Sequence, residues 1–231
     1  MTSNFLKKTK IPVIGHILEG RFLFLVVSLL AYFAIAPLLE DFIRIRLFVD
    51  IFLTAILVSG MHAVSTSNRE RLIIALIALP LLVTLWLYRF VKIDFLPLTT
   101  QGLLILFLIY CIACILSFIL KAPRVTRDVI YAAISVYLFI GLLWSGVYMV
   151  LESLQPGSFS FTKGQASAGS GDFNYYSFVT LTTLGYGDIT PLTAKAKAFA
   201  MLEAVVGQLY LVVLVARLVG MHIAHSSKKN N

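Results

Sequence analysis

Apolar residues in this chain fall in long blocks separated by short polar breaks. Six blocks approach the roughly 20 residues a helix needs to cross a bilayer. They are Phe22–Leu39, Leu47–Val64, Leu72–Tyr88, Gly102–Leu120, Val129–Leu151 and Ala194–Leu218. Polar residues punctuate their ends, at Glu40-Asp41, Asn68 to Arg71, Lys92 to Asp94 and Lys121 to Asp128. Pro80 falls inside the third block and is expected as a kink that a helix bundle tolerates. The pattern predicts an all-α membrane protein with six transmembrane helices. Between the fifth and sixth blocks lies one long connection. Its first part, Gln155 to Gly171, is rich in Gly and Ser and reads as a flexible loop. Its second part, Asp172 to Thr183, reads "DFNYYSFVTLTT". Asp172 or Asn174 is placed to cap a short helix there. Such a helix cannot span, so it is expected to re-enter the membrane, buried in protein or facing a watery cavity.

Composition supports the pattern. The chain has 59% apolar and 13% charged residues, far from the balance of a soluble domain. The net charge of +8 comes from basic residues scattered between apolar runs. That distribution fits basic inner loops and excludes a nucleic-acid patch. With both termini inside, inner segments carry twelve basic residues and outer segments seven, which orients the chain with cytoplasmic ends in the cell membrane. The first block is too long for a signal core and lacks a small-residue cleavage site. Cys111 and Cys114 sit in an apolar run, where packing is the plain reading of their spacing. No nucleophile, metal-ligand set or phosphate loop suggests an enzyme, and no cofactor is expected.

The most polar stretch inside this apolar frame is Thr182-Thr183-Leu184-Gly185-Tyr186-Gly187-Asp188. Glycines at 185 and 187 allow backbone angles closed to other residues. That freedom permits successive carbonyls to face one axis, as a cage for a dehydrated cation requires. The stretch from Thr180 to Asp188 resembles the selectivity filter of potassium channels, whose usual core is T-V-G-Y-G. The resemblance covers roughly Val129 to Leu218 and includes the order of outer helix, loop, pore helix, filter and inner helix.

The resemblance implies potassium bound by carbonyls of Thr183, Leu184, Gly185 and Tyr186 together with the Thr183 hydroxyl, with Gly187 completing the strand. It implies Asp188 at the outer mouth, and Thr180, Thr182, Tyr175, Tyr176 and Glu203 as filter support. Tyr186 is expected to pack against pore-helix aromatics, Tyr175 and Tyr176 being the candidates; lipid-facing interfacial positions are the alternative for these two. One chain supplies one filter strand, so a homotetramer surrounded by membrane lipids is implied. Gly207 lies where the family often has a hinge glycine; tight helix packing is the alternative. Leu184 departs from the usual valine. Val179 stands where some members carry a glutamate paired with the filter aspartate, a pair that cannot form here.

The division that follows is an N-terminus at 1–21, a four-helix domain at 22–120 and a linker at 121–128. A pore domain at 129–220 and a short tail at 221–231 complete it. The fourth block carries none of the regularly spaced arginines of voltage-gated relatives, so steep voltage sensing is not expected. Glu203, an acid within the sixth block, is expected to face the pore helix, accept from Thr182 or Ser177 and support the filter, with a role in gating as the alternative. Asp50 and Arg46 read as an interfacial pair, and His222 and His225 as solvated residues at a helix end. A potassium-selective channel is the first expectation. A weakly selective cation channel and a non-conducting membrane scaffold remain alternatives.

Overall fold

The computed structural model describes residues 21–35, 45–64, 68–91, 95–162 and 169–229. A helix stands at each of the six apolar blocks: α1 (Arg21–Ile35), α2 (Ile45–Val64), α3 (Asn68–Phe90), α4 (Leu96–Lys121), α5 (Arg127–Leu154) and α7 (Ala194–Lys229). Between α5 and α7 come β1 (Phe159–Phe161), the short helix α6 (Ser170–Leu181) and β2 (Ile189–Pro191). Four helices are long and apolar enough to cross a membrane: those at 68–87, 96–121, 127–154 and 194–221. The apolar parts described for α1 and α2, at 22–35 and 53–63, are shorter. Pro80 lies inside α3, which continues through it.

Helix α5 is the hub. It packs against α4, α1, α6 and α7. Thr126 starts it, its side chain accepting from the Val129 N–H at 3.3 Å. Small residues open its face: Ala132, Ala133 and Gly141 are all buried. Phe107, Leu108, Cys111, Ile115 and Ile119 of α4 fill the core beside it. Cys111 and Cys114 are both free thiols, in line with the packing reading.

The long connection corrects one expectation. Gln155 to Gly171 is not loop throughout, because β1 pairs antiparallel with β2, setting Phe159 opposite Pro191 and Phe161 opposite Ile189. Phe159 packs beneath this ribbon with Phe173, Tyr176 and Tyr148 in a second apolar cluster. The aromatic residues flanking Ser160 supplied a reason for a strand that the Gly and Ser content obscured. The Glu152 carboxylate braces the entry by accepting from the Gly157 and Phe159 N–H groups at 2.8 and 3.2 Å. Helix α6 begins at Ser170, and the Asp172 carboxylate reaches back to the Gly169 N–H at 2.8 Å. An acid in the first turn also suits the positive end of the helix dipole. The helix ends at Leu181, two residues before Thr183. The side chains of Arg46, Asp50, His222 and His225 lie outside the described residues.

Candidate functional site

Helix α6 is held on two sides by missing side chains. On α5, a Cβ at Gly141 would lie 2.4 Å from the Phe178 ring. On α7, a Cβ at Gly207 would lie 2.6 Å from the Leu181 carbonyl oxygen and 2.7 Å from its Cδ1. No real side chain fits either gap, so both glycines seat α6. Of the two readings open for Gly207, the observed contact is packing.

A polar node closes the same side. Glu203 of α7 is fully buried. The Tyr148 hydroxyl of α5 donates to its Oε2 at 2.5 Å, and Ser177 of α6 contacts its Oε1. Ser177 also donates to the Gly141 carbonyl at 2.7 Å. Glu203 therefore faces α6 and meets Ser177 as expected. Thr182 does not join it: its hydroxyl donates at 2.6 Å to the Phe178 carbonyl at the end of α6. Sequence reasoning missed Tyr148, although a hydroxyl-bearing aromatic deep in an apolar helix was a usable signal. It also missed Tyr32, whose hydroxyl accepts from Asn174 at 2.8 Å and ties α6 to α1. Phe33 adds a ring contact to Phe178 with centroids 4.5 Å apart.

The segment after α6 turns its amides back toward that helix. The Thr183 N–H donates to the Thr180 carbonyl at 2.9 Å. Those of Leu184 and Gly185 both donate to the Val179 carbonyl, at 2.9 and 3.3 Å. The backbone alternates: Thr183, Gly185 and Gly187 have φ of +59°, +59° and +78°, while Leu184 and Tyr186 do not have positive φ. Alternation in the sign of φ can gather successive N–H groups on one side of a chain. A β-branched threonine in the left-handed region is strained, and such strain concentrates at functional sites. Residues 182–188 are all exposed in the single chain. With these amides turned to α6, the carbonyls of the segment become candidate oxygen ligands, the type that hard cations take. Among the described residues no cluster of three or more His, Cys, Asp or Glu offers a conventional metal site.

Two tyrosines part company here. Tyr176 is buried and turns into the cluster of Tyr148 and Phe159, with ring centroids 5.0 and 5.3 Å away. Within the single chain Tyr176 is therefore buried rather than lipid-facing. Tyr175 is exposed, and its hydroxyl donates to Asp188 Oδ2 at 2.7 Å. That bond, above all, pushes the Tyr175 hydroxyl up to about 12. Tyr175 thus takes the aspartate contact that Val179 cannot make. Tyr186 is 66% exposed, and no ring contact joins it to Tyr175 or Tyr176 within the chain.

The family described as "Ion channel" matches residues 104–223, from within α4 to the end of α7's apolar part. A relative, two pore potassium channel c of Oryza sativa subsp. japonica, is 33% identical over 88 residues. That alignment covers 38% of this chain and 19% of the relative, so it spans about a fifth of the relative's length. No solved structure matches the chain. The apolar helices and the family match make this a multi-pass membrane protein. With more than half of its residues inside the match, and with the likeness to potassium channels upheld, the chain belongs to the ion channel family.

Proposed function

We propose that this chain is one subunit of a homotetrameric, potassium-selective channel that passes potassium down its electrochemical gradient. The observation that carries the reading is the segment at 183–187, with the amides of Thr183, Leu184 and Gly185 tied to α6 and the sign of φ alternating along it. Four such strands around an axis would surround potassium with carbonyls of Thr183, Leu184, Gly185 and Tyr186 in place of its water shell. The Thr183 hydroxyl would add a further oxygen at the inner end. Asp188 would raise the local cation concentration at the outer mouth. Residues 170–181 would then be the re-entrant pore helix, with α5 as the outer and α7 as the inner helix. The amino-terminal end would face the cytoplasm, as would the carboxyl-terminal end.

A ring of four is supported by what one chain leaves open. The most apolar stretch of α7 is 11% buried within the chain, against 61% for that of α5. Met201, Leu202, Val205, Leu209, Val212 and Val213 are all exposed on α7. A closed ring covers such a face with a second copy while bringing the filter strands together. Lys121 is the only charged residue in α4. Moving charge through the field supplies the energy of voltage opening, so steep voltage dependence is not proposed.

The test is flux through purified protein in liposomes, beside a Gly185→Ala variant. Potassium should pass in preference to sodium, and the variant should pass neither. Equal sodium flux would replace this reading with a weakly selective cation channel. Absence of flux over a range of pH and potential would favour a membrane scaffold. Native mass spectrometry of the same preparation should show four copies; a monomer at working concentration would defeat the ring.

A further inference from the structure

The node around Glu203 contains more oxygen contacts than hydroxyl protons. Ser177 Oγ lies 2.7 Å from the Gly141 carbonyl, which can only accept. The single Ser177 proton belongs in that bond. The Tyr148 proton belongs in the bond to Glu203 Oε2, at 2.5 Å. The remaining contact, between Glu203 Oε1 and Ser177 Oγ, then has a proton only if the carboxyl brings one. Among the described residues, the groups acting on the carboxyl are Ser177 and Tyr148, with no cation among them. The titratable groups facing it are Tyr148 and Tyr137 from α5 and Tyr176 from α6. Ile189–Pro191 of β2, the other strand against α7, contains none. An ionised carboxylate in this place would lack a counter-charge at considerable cost.

We infer that Glu203 is held as the neutral acid and donates its own proton to Ser177, so that the tie between α7 and α6 depends on that proton. The geometry gives the tie its consequence. Glu203 and Gly207 are four apart on α7, and their partners Ser177 and Leu181 are four apart on α6. Two successive rungs thus lock one turn of each helix, at the end of α6 that leads into 183–187. Loss of the proton leaves two hydroxyl protons for three contacts, and one rung slackens. Alkali strong enough to remove that proton therefore works against the lock. The effect on conduction rests on the reading of 183–187 as the filter, whereas the protonation itself does not.

Infrared spectroscopy of the full chain in lipid separates the two. Wild type at neutral pH should show the carbonyl stretch of a protonated carboxylic acid, and Glu203→Gln should lack it. Glutamine can donate to Ser177 and accept from Tyr148, so its potassium flux should survive and lose its pH dependence. Wild-type flux should fall several-fold as alkali bleaches the band. A Ser177→Ala variant, which removes the acceptor, should shift the band; an unmoved band would mean that the Glu203 proton is not given to Ser177 and would overturn the tie. No difference band at neutral pH would mean that Glu203 is ionised and would overturn the inference. A band that bleaches while flux is unchanged would reduce the tie to a purely structural contact. If wild type carries no potassium at any pH, the channel reading fails, while the band still decides the protonation of Glu203.

Discussion

The two sides of α6 and its following strand are opposites. One side is finished within a single chain: Tyr176, Ser177, Phe178 and Leu181 all meet partners from α1, α5 or α7. The other side, residues 182–188, is exposed, while the amides of Thr183, Leu184 and Gly185 are taken by carbonyls of α6. The packed side can be argued from one copy because its steric and hydrogen-bonding demands close locally. The open side presents donors for which the chain itself supplies no cation-sized cage. Support and conduction are thus built by different means. Rigid packing holds the strand, and symmetry is proposed to complete it.

Substitutions can break either side separately. Gly185→Ala has the largest expected effect. Its φ of +59° places a Cβ in the left-handed region, at roughly 1–2 kcal/mol, and turns a carbonyl that the cage needs. Potassium flux should be lost while helical content by circular dichroism stays unchanged. Next is Gly207→Ala, which strikes from the packed side. The new methyl would meet the Leu181 carbonyl at 2.6 Å, so the end of α6 must move. Overpacking of this type costs about 1–3 kcal/mol, and the potassium-to-sodium ratio should fall in reversal-potential measurements. A glycine serving only as a hinge would instead change opening and leave that ratio intact.

Ser177→Ala is expected to be milder. It leaves one Glu203 oxygen unsatisfied in a dry site, at about 1–3 kcal/mol. Thermal unfolding in detergent should shift down, with selectivity retained. Tyr175→Phe should have the smallest effect, because the Tyr175–Asp188 bond is exposed. Flux should persist and its decline during sustained activity should change. The Tyr175 hydroxyl is raised above its ordinary 10 to about 12. Its contribution is therefore complete below pH 10 and is lost as pH rises through 12. Ultraviolet absorbance of the tyrosinate, compared between wild type and variant, checks that window.

Much of this was legible in the chain. The apolar blocks placed every long helix, since a bilayer-spanning helix satisfies its own backbone and needs only length and apolarity. The glycine spacing at 185 and 187 marked the unusual backbone, and an acid inside an apolar block marked Glu203. Other features depended on neighbours remote in sequence. Asn174 meets Tyr32 from the far end of the chain, and nothing local in either residue names the other. Thr182 was as good a donor as Ser177 on paper, but its place at the end of α6 gave it to the Phe178 carbonyl. Tyr175 and Tyr176 are adjacent in sequence and face different surroundings, because successive helical residues are about 100° apart.

By itself the sequence determined the helical membrane architecture, the position of the strand at 182–188 and the absence of gating charge in α4. These follow from composition, period and residue type, which act over a few turns of chain. Only the tertiary structure decided that Gly207 seats Leu181, that Tyr148 and Ser177 share Glu203, and that Tyr175 holds Asp188. Those outcomes depend on which helix faces meet. In a close-packed interior a missing methyl or a single hydroxyl proton is enough to choose among them.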